Sequence, residues 1–258
     1  MKKTLKSPFR WAGSKAKLTS ELFNYFKDAD TYIEPFLGSG IVLFRLIQEN
    51  KYKKYIVNDI NESIIAFYYQ VKNYSESLIM RLELISDYYN QLSMDEKSDY
   101  YYQMREKFNQ DKSNYVLFWC LMKTGFNGLY RENKKGEYNV PFGKKDRIKV
   151  DADEIREISK LIQNVDFYCM DYRIFLKIVL DIKDQKMIYC DPPYVNSQNY
   201  YASAFKNNDF ALLIEKMYNQ YCAISDVDSK ESNEVYKGLF KVFVKDIKRV
   251  ITLLQFKK

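Results

Sequence analysis

Asp191-Pro192-Pro193-Tyr194 follows directly on the apolar run Met187-Ile188-Tyr189-Cys190. A strand that stops at an Asp followed by two prolines leaves a rigid, extended backbone, because proline fixes φ and lacks an amide hydrogen. The chain can neither continue the sheet nor turn at once into a helix. A carboxylate and outward-facing carbonyls are then held beside an aromatic ring at the carboxyl edge of a sheet. Two acceptors and a ring suit a flat base carrying an amino group. Asp and Pro are also ordinary turn residues, so the motif needs its context.

Part of that context lies upstream. Gly38 and Gly40 fall between a strand and a helix, where the backbone can approach a ligand at the positive end of that helix. Asp59 ends the next strand, where an acid can accept hydrogen bonds from ribose hydroxyls; it could equally cap the helix that follows. The last glycine of a dinucleotide fingerprint is missing from Gly38-Ser-Gly40-Ile-Val-Leu43. A nucleoside without pyrophosphate fits better than a dinucleotide.

The elements that must position these residues are legible from apolar spacing. Strands are expected over Thr31–Phe36, Lys54–Asn58, Val165–Cys169, Met187–Cys190, Tyr221–Ser225, Leu239–Lys245 and Val250–Leu254. Helical patterns cover Ile41 to about Glu49, Arg173–Asp181 and Asp209–Asn219, with Asn61 as a cap. From Glu62 to Thr124 the spacing is helical throughout, with no strand signal. Gly125–Gly143 is turn-rich and reads as a hairpin or extended loop. The fold class is α/β: a doubly wound sheet formed by residues 1–60 and 156–258, interrupted by a mostly helical insert over 61–155.

Composition narrows the chemistry. The 258 residues contain no His, which removes Ser-His and Cys-His catalysis and the commonest zinc ligand. Cys120, Cys169, Cys190 and Cys222 lack metal-ligand spacing and lie in apolar runs, so they read as reduced, buried thiols of a cytoplasmic protein. The net charge of +7 is compatible with nucleic acid without requiring it. Met1–Lys6 is basic with no apolar stretch behind it, so no signal peptide is expected, and no apolar run is long enough to span a membrane.

In order along the chain, four blocks resemble those of the Dam-type DNA adenine-N6 methyltransferases. They are Pro8-Phe-Arg-Trp-Ala-Gly-Ser-Lys15, Glu34-Pro-Phe-Leu-Gly-Ser-Gly40, Gly125-Phe-Asn-Gly-Leu-Tyr-Arg131 running to Gly136–Gly143, and Asp191–Tyr194. The resemblance spans about residues 7 to 205. It implies a Rossmann-like methyltransferase sheet with an inserted DNA-recognition domain. The implied cofactor is S-adenosylmethionine, leaving S-adenosylhomocysteine, with no metal. The implied partner is double-stranded DNA, bound by a monomer.

The resemblance also implies roles. Asp191, Pro192 and Tyr194 would be catalytic. Trp11, Lys15, Phe36, Gly38, Gly40, Asp59, Asp171 and Tyr172, with Asp191, would hold the cofactor. Arg10, Phe126, Asn127, Leu129, Arg131, Asn139 and Pro141 would meet DNA, and Arg10, Leu129 and Arg131 together suggest GATC as target. Lys134, Lys135, Lys144, Lys145 and Arg147 would contact phosphates or form a solvated face.

Two departures set up the alternatives. Asp226 stands where many relatives place Asn after Ser, and the chain stops at Lys258 where relatives continue into a further strand, which would leave an open sheet edge. A homologue that binds DNA but has lost turnover is therefore one alternative. A methyltransferase for another planar amine or amide is another; Asp at 191, rather than Asn, speaks against an amide.

Overall fold

The computed structural model describes residues 5–16, 18–193, 221–227, 241–244 and 249–254, with backbone only for 226, 227 and the last two segments. Tyr194, the loop Val195–Lys206 and the expected helix Asp209–Asn219 lie outside the described residues. The chain divides into two compact units. One is Met1–Ala16, Gly38–Arg45 and Asn61–Gln163; the other is Lys17–Leu37, Leu46–Ile60 and Asn164–Lys258.

The second unit holds a sheet of strands β1 (Thr31–Glu34), β2 (Lys54–Asn58), β3 (Val165–Tyr168), β4 (Lys186–Cys190), β5 (Tyr221–Val227), β6 (Lys241–Val244) and β7 (Arg249–Leu254), in the order β3-β2-β1-β4-β5-β7-β6. The first five pair in parallel, and β7 lies antiparallel between β5 and β6. β1 ends at Glu34, two residues before the expected Phe36, because Pro35 cannot donate to the ladder. The open edge expected beyond Leu254 is not found among the described strands: β7 is paired on both sides, Asp226 opposite Val250, and β6 forms the edge.

β1 and β4 are buried along their whole length, as a parallel sheet covered on both faces requires. On one face Ile33, Ile56, Ile188, Cys222 and Ile224 pack with Phe175, Leu176 and Val179 of α8 (Tyr172–Leu180). On the other, the rings of Phe26, Tyr32 and Tyr189 meet in one cluster. Cys120, Cys190 and Cys222 are buried as expected, but Cys169 is exposed. It follows β3, which has only one neighbouring strand and runs out into solvent.

After α1 (Thr19–Leu22) and α2 (Ile41–Gln48), the helices of the first unit follow along the chain: α3 (Glu62–Asn73), α4 (Ser75–Gln91), α5 (Met94–Gln110), α6 (Tyr115–Thr124) and α7 (Ala152–Leu161). Asn61 caps α3, accepting from the amides of Ser63 and Ile64 at 3.0 and 3.3 Å. Ser93 and Glu96 close a capping box on α5. The N-terminal block joins this unit through Phe9, whose ring meets those of Phe67, Tyr68 and Phe118, and through the Trp119 indole donating to the Pro8 carbonyl at 3.1 Å. Among the described residues no helix is long and apolar enough to cross a membrane.

Candidate active site

In the sheet unit the strand order reverses between β1 and β4, the place where open α/β sheets bind ligands beyond the carboxyl ends of their strands. The chain leaving β1 carries Phe36, that leaving β2 carries Asp59, that leaving β3 carries Asp171, and that leaving β4 carries Asp191. Parallel neighbours lie about 4.8 Å apart, so these ends line one edge. Pro192 is buried, while Asp191 and Pro193 are half-buried. Tyr194 falls just beyond the described residues.

One side chain holds three of these exits together. Asn58, fully buried at the end of β2, donates through Nδ2 to the carbonyls of Pro35 at 3.1 Å and Met170 at 3.0 Å, while its Oδ1 accepts from the Met170 amide at 3.0 Å. Its own carbonyl accepts from the Leu37 amide at 2.9 Å. A buried amide must be paired, and this one uses its pairs to tie the loops after β1 and β3 to β2. The sequence reading missed it. A polar residue closing the apolar run Tyr55-Ile56-Val57 was the available signal.

Asp171 accepts from the Arg173 backbone amide and from its Nε, both at 2.8 Å, and pairs with Nη2 at 2.7 Å. It thereby caps α8, and these Arg173 hydrogen bonds hold its carboxyl below the usual range. Tyr172 is part of the core, its ring 5.5 Å from that of Phe36. Glu34, unremarked at first reading except within its motif, is buried at the end of β1. Burial pushes the Cys190 thiol well up, and Cys222 and the carboxylates of Glu34 and Asp191 add to the effect. That thiol stays protonated and inert.

In the helical unit, Gly38 and Gly40 have φ of +49° and +67°, which only glycine adopts without strain. A Cβ on Gly38 would come within 3.0 Å of Cδ1 and Nε1 of Trp11, and one on Gly40 would come 3.1 Å from the Tyr68 hydroxyl. Tyr68 donates to the Ser39 carbonyl at 2.7 Å, fixing the loop. Lys15 is buried, not a solvated lysine, and donates to the Gly13 carbonyl at 2.9 Å. Trp11, half-buried, lies 5.3 Å from the Tyr130 ring.

The segment Gly125–Gly143 is a hairpin-like loop with two isolated bridges, Gly125↔Phe142 and Glu132↔Tyr138. One face of α5 grips its backbone. Tyr101 donates to the Val140 carbonyl at 2.8 Å and Arg105 to the same oxygen at 3.3 Å. Asn109 brackets Tyr138, accepting from its amide at 2.7 Å and donating to its carbonyl at 3.1 Å. Lys112, just past the helix, bonds Glu132 and the Gly136 carbonyl.

On this loop Phe126 is 50% exposed, and Asn127 takes a left-handed φ of 54°. Pro141 is exposed; Leu129, Arg131 and Asn139 are half-buried. Lys134, Lys135, Lys144 and Arg147 are exposed and Lys145 half-buried. Arg10 is exposed, its stem lying over Gly128 so that a Cβ there would meet it at 2.7 Å. Lys123, which the sequence reading passed over, lies 5.3 Å over the Trp119 ring. Burial, and then the charge of Arg10, hold its pKa down.

The sheet order, five parallel strands with an antiparallel β7 between β5 and β6, is that of a Rossmann-like α/β methyltransferase fold. The chain belongs to the D12 class of N6 adenine-specific DNA methyltransferases, whose family model matches residues 11–251. It is 36% identical over 232 residues to the type II methyltransferase M.MjaIII of Methanocaldococcus jannaschii, covering 83% of this chain and 79% of that one. It is 31% identical to a DNA adenine methylase of Salmonella typhi, covering 94% and 88%, and 32% identical to one of Escherichia coli, covering 79% and 70%. The protein is thus an adenine-specific DNA methyltransferase, and DNA is its substrate.

Proposed function

We propose that this enzyme methylates the adenine of GATC in duplex DNA, taking up the base after it has been extruded from the helix. The observation that carries the reading is Asp191, followed by Pro192 and Pro193, at the end of β4 beside the reversal of strand order. The amino nitrogen of adenine is a poor nucleophile because its lone pair is delocalised into the ring. Asp191 and the Pro192 carbonyl accept its two hydrogens, drawing the nitrogen toward tetrahedral geometry and aiming the lone pair. Tyr194 supplies a face for the base. The gain comes from positioning and fixed charge.

S-adenosylmethionine supplies the electrophilic methyl group when bound. The sheet unit by itself carries groups that suit a nucleoside. In the sheet unit Asp59 offers a carboxylate for ribose hydroxyls, Phe36 and Tyr172 offer apolar rings, and Asp171 keeps acceptor capacity beyond its Arg173 bonds. In the helical unit Gly38 and Gly40 turn the loop tightly against Trp11, Phe44 and Tyr68, and Lys15 is buried.

For DNA, Arg131 matches the two major-groove acceptors of guanine, Arg10 reads the other end of the site, and Leu129 and Pro141 pack on bases. Phe126, exposed on the turn that Asn127 makes, wedges into the stack in this reading. Extrusion costs a few kcal/mol, which such a wedge offsets in part.

The test is transfer of a labelled methyl group from S-adenosylmethionine to two duplexes differing only in one GATC. Label in the GATC duplex alone is expected. Label in both would discard the assignment of Arg10, Leu129 and Arg131. No label with binding intact would favour a homologue that has lost turnover.

A further inference from the structure

Arg131 does not project freely from the hairpin. Its Nε donates to Oδ1 of Asn139 at 2.8 Å and its Nη2 to the Asn139 carbonyl at 3.3 Å. The Asn139 amide in turn donates to the Arg131 carbonyl at 3.0 Å. A guanidinium has two edges that can each make a pair of parallel hydrogen bonds. The lateral edge, formed by Nε–H and one Nη2 hydrogen, is taken by Asn139. Nη1 and the outer Nη2 hydrogen are left, and these form the end-on edge that matches O6 and N7 of a guanine.

Asn139 is itself held from both sides. Its neighbour Tyr138 is bracketed through amide and carbonyl by Asn109, and its other neighbour, Val140, has its carbonyl taken by Tyr101 and Arg105. The clamp on Arg131 is therefore referred to α5 rather than to a loop tip.

We infer that Asn139 is a positioning residue for base recognition: it occupies the lateral edge of the Arg131 guanidinium, so that Arg131 meets guanine end-on. The inference rests on the reading of Arg131 as the guanine reader. It also changes the role that family resemblance gives Asn139, from a DNA contact to the support of one. Fixing the arginine before binding removes part of the ordering cost of a flexible side chain.

The test compares kcat/KM on GATC and GATT duplexes for the whole enzyme. Asn139→Ala should lower the GATC/GATT ratio about tenfold, the lower end of what one bidentate pair is worth. Asn139→Ser, polar but too short to reach Nε, should lose as much, and Asn139→Asp, which keeps an acceptor, should hold the ratio near that of the wild type. In an Arg131→Ala background, Asn139→Ala should change the ratio no further. Melting curves check that each variant folds; if Asn139→Ala does not, the Ser and Asp variants carry the test. Equal loss on both duplexes, or losses that add to those of Arg131→Ala, would overturn the inference and make Asn139 a DNA contact in its own right. If Arg131→Ala alone leaves the ratio intact, the reading of Arg131 fails first, visibly and separately, and the inference falls with it.

Discussion

The carboxyl edge of the sheet and the hairpin of residues 125–143 are both stretches of irregular backbone, but they are held by different means. The edge loops leave strands whose ladder already fixes their starting points, and a single buried amide, Asn58, completes the job. The hairpin has only two isolated bridges of its own, and side chains of α5 hold its backbone from outside. On the reading proposed above, chemistry that needs an atom placed within a fraction of an ångström would sit on the first kind of support, and recognition of a deformable duplex on the second. This difference can be tested by cutting each support.

The largest effect is expected at the edge itself. Asp191→Ala should cut single-turnover methyl transfer by about a hundredfold to a thousandfold, the range for losing a principal electrostatic partner of the reacting group. DNA binding, followed by fluorescence anisotropy, should be nearly unchanged. Near-normal turnover would remove Asp191 from the reaction.

Next comes Asn58→Ala. It strands two carbonyls and an amide in a buried place, and should cost about 2–4 kcal/mol in urea unfolding. The loss should appear in the global transition, because the strands that Asn58 ties unfold together. A purely local loosening would show that the edge is supported more like the hairpin.

Asn109→Ala offers the matching cut on the other side. It frees both polar groups of the Tyr138 backbone, each worth roughly 1 kcal/mol. Here the expected signature is faster amide exchange confined to the hairpin, with the GATC/GATT ratio reduced and the melting of the sheet unmoved. A global loss as large as that of Asn58→Ala would erase the contrast between the regions.

The smallest effect concerns Asp171. Its carboxyl is held below its ordinary value by Arg173, so its folded pKa lies under the unfolded one. The stability it contributes is then present above the unfolded pKa, near 3.9, and is lost as pH falls through the folded value. Asp171→Asn keeps an acceptor for the helix cap but removes the charge and one acceptor facing Arg173. The difference in melting temperature between the two proteins should be largest near pH 6 and should shrink as pH falls below about 4. A gap that widens on acidification would contradict the sign.

How much of this was legible beforehand follows from the physics of each part. Lys54–Asn58 was read with its true bounds and the other strands within one or two residues at each end, since apolar runs rich in β-branched and aromatic residues are broken by polar and turn residues at their ends. Asn61 announced its helix because capping is local. The grip of α5 was not legible: Tyr101, Arg105 and Asn109 look like one more polar face until the hairpin they bind is folded against them. Cys169 looked buried because its run was apolar, and nothing local told that β3 would be an edge.

By itself the sequence determined the strand set, the glycine turn, the acid after β4 and, through four ordered blocks, the family of the enzyme. These are properties of adjacent residues, whose backbone limits and apolar spacing act over a few positions. The tertiary structure alone decided that β7 enters the sheet between β5 and β6, that Asn58 ties three exits, and that Asn139 occupies one edge of Arg131. Each of these depends on partners brought together by folding, and hydrogen-bond geometry has no expression in the chain until those partners meet.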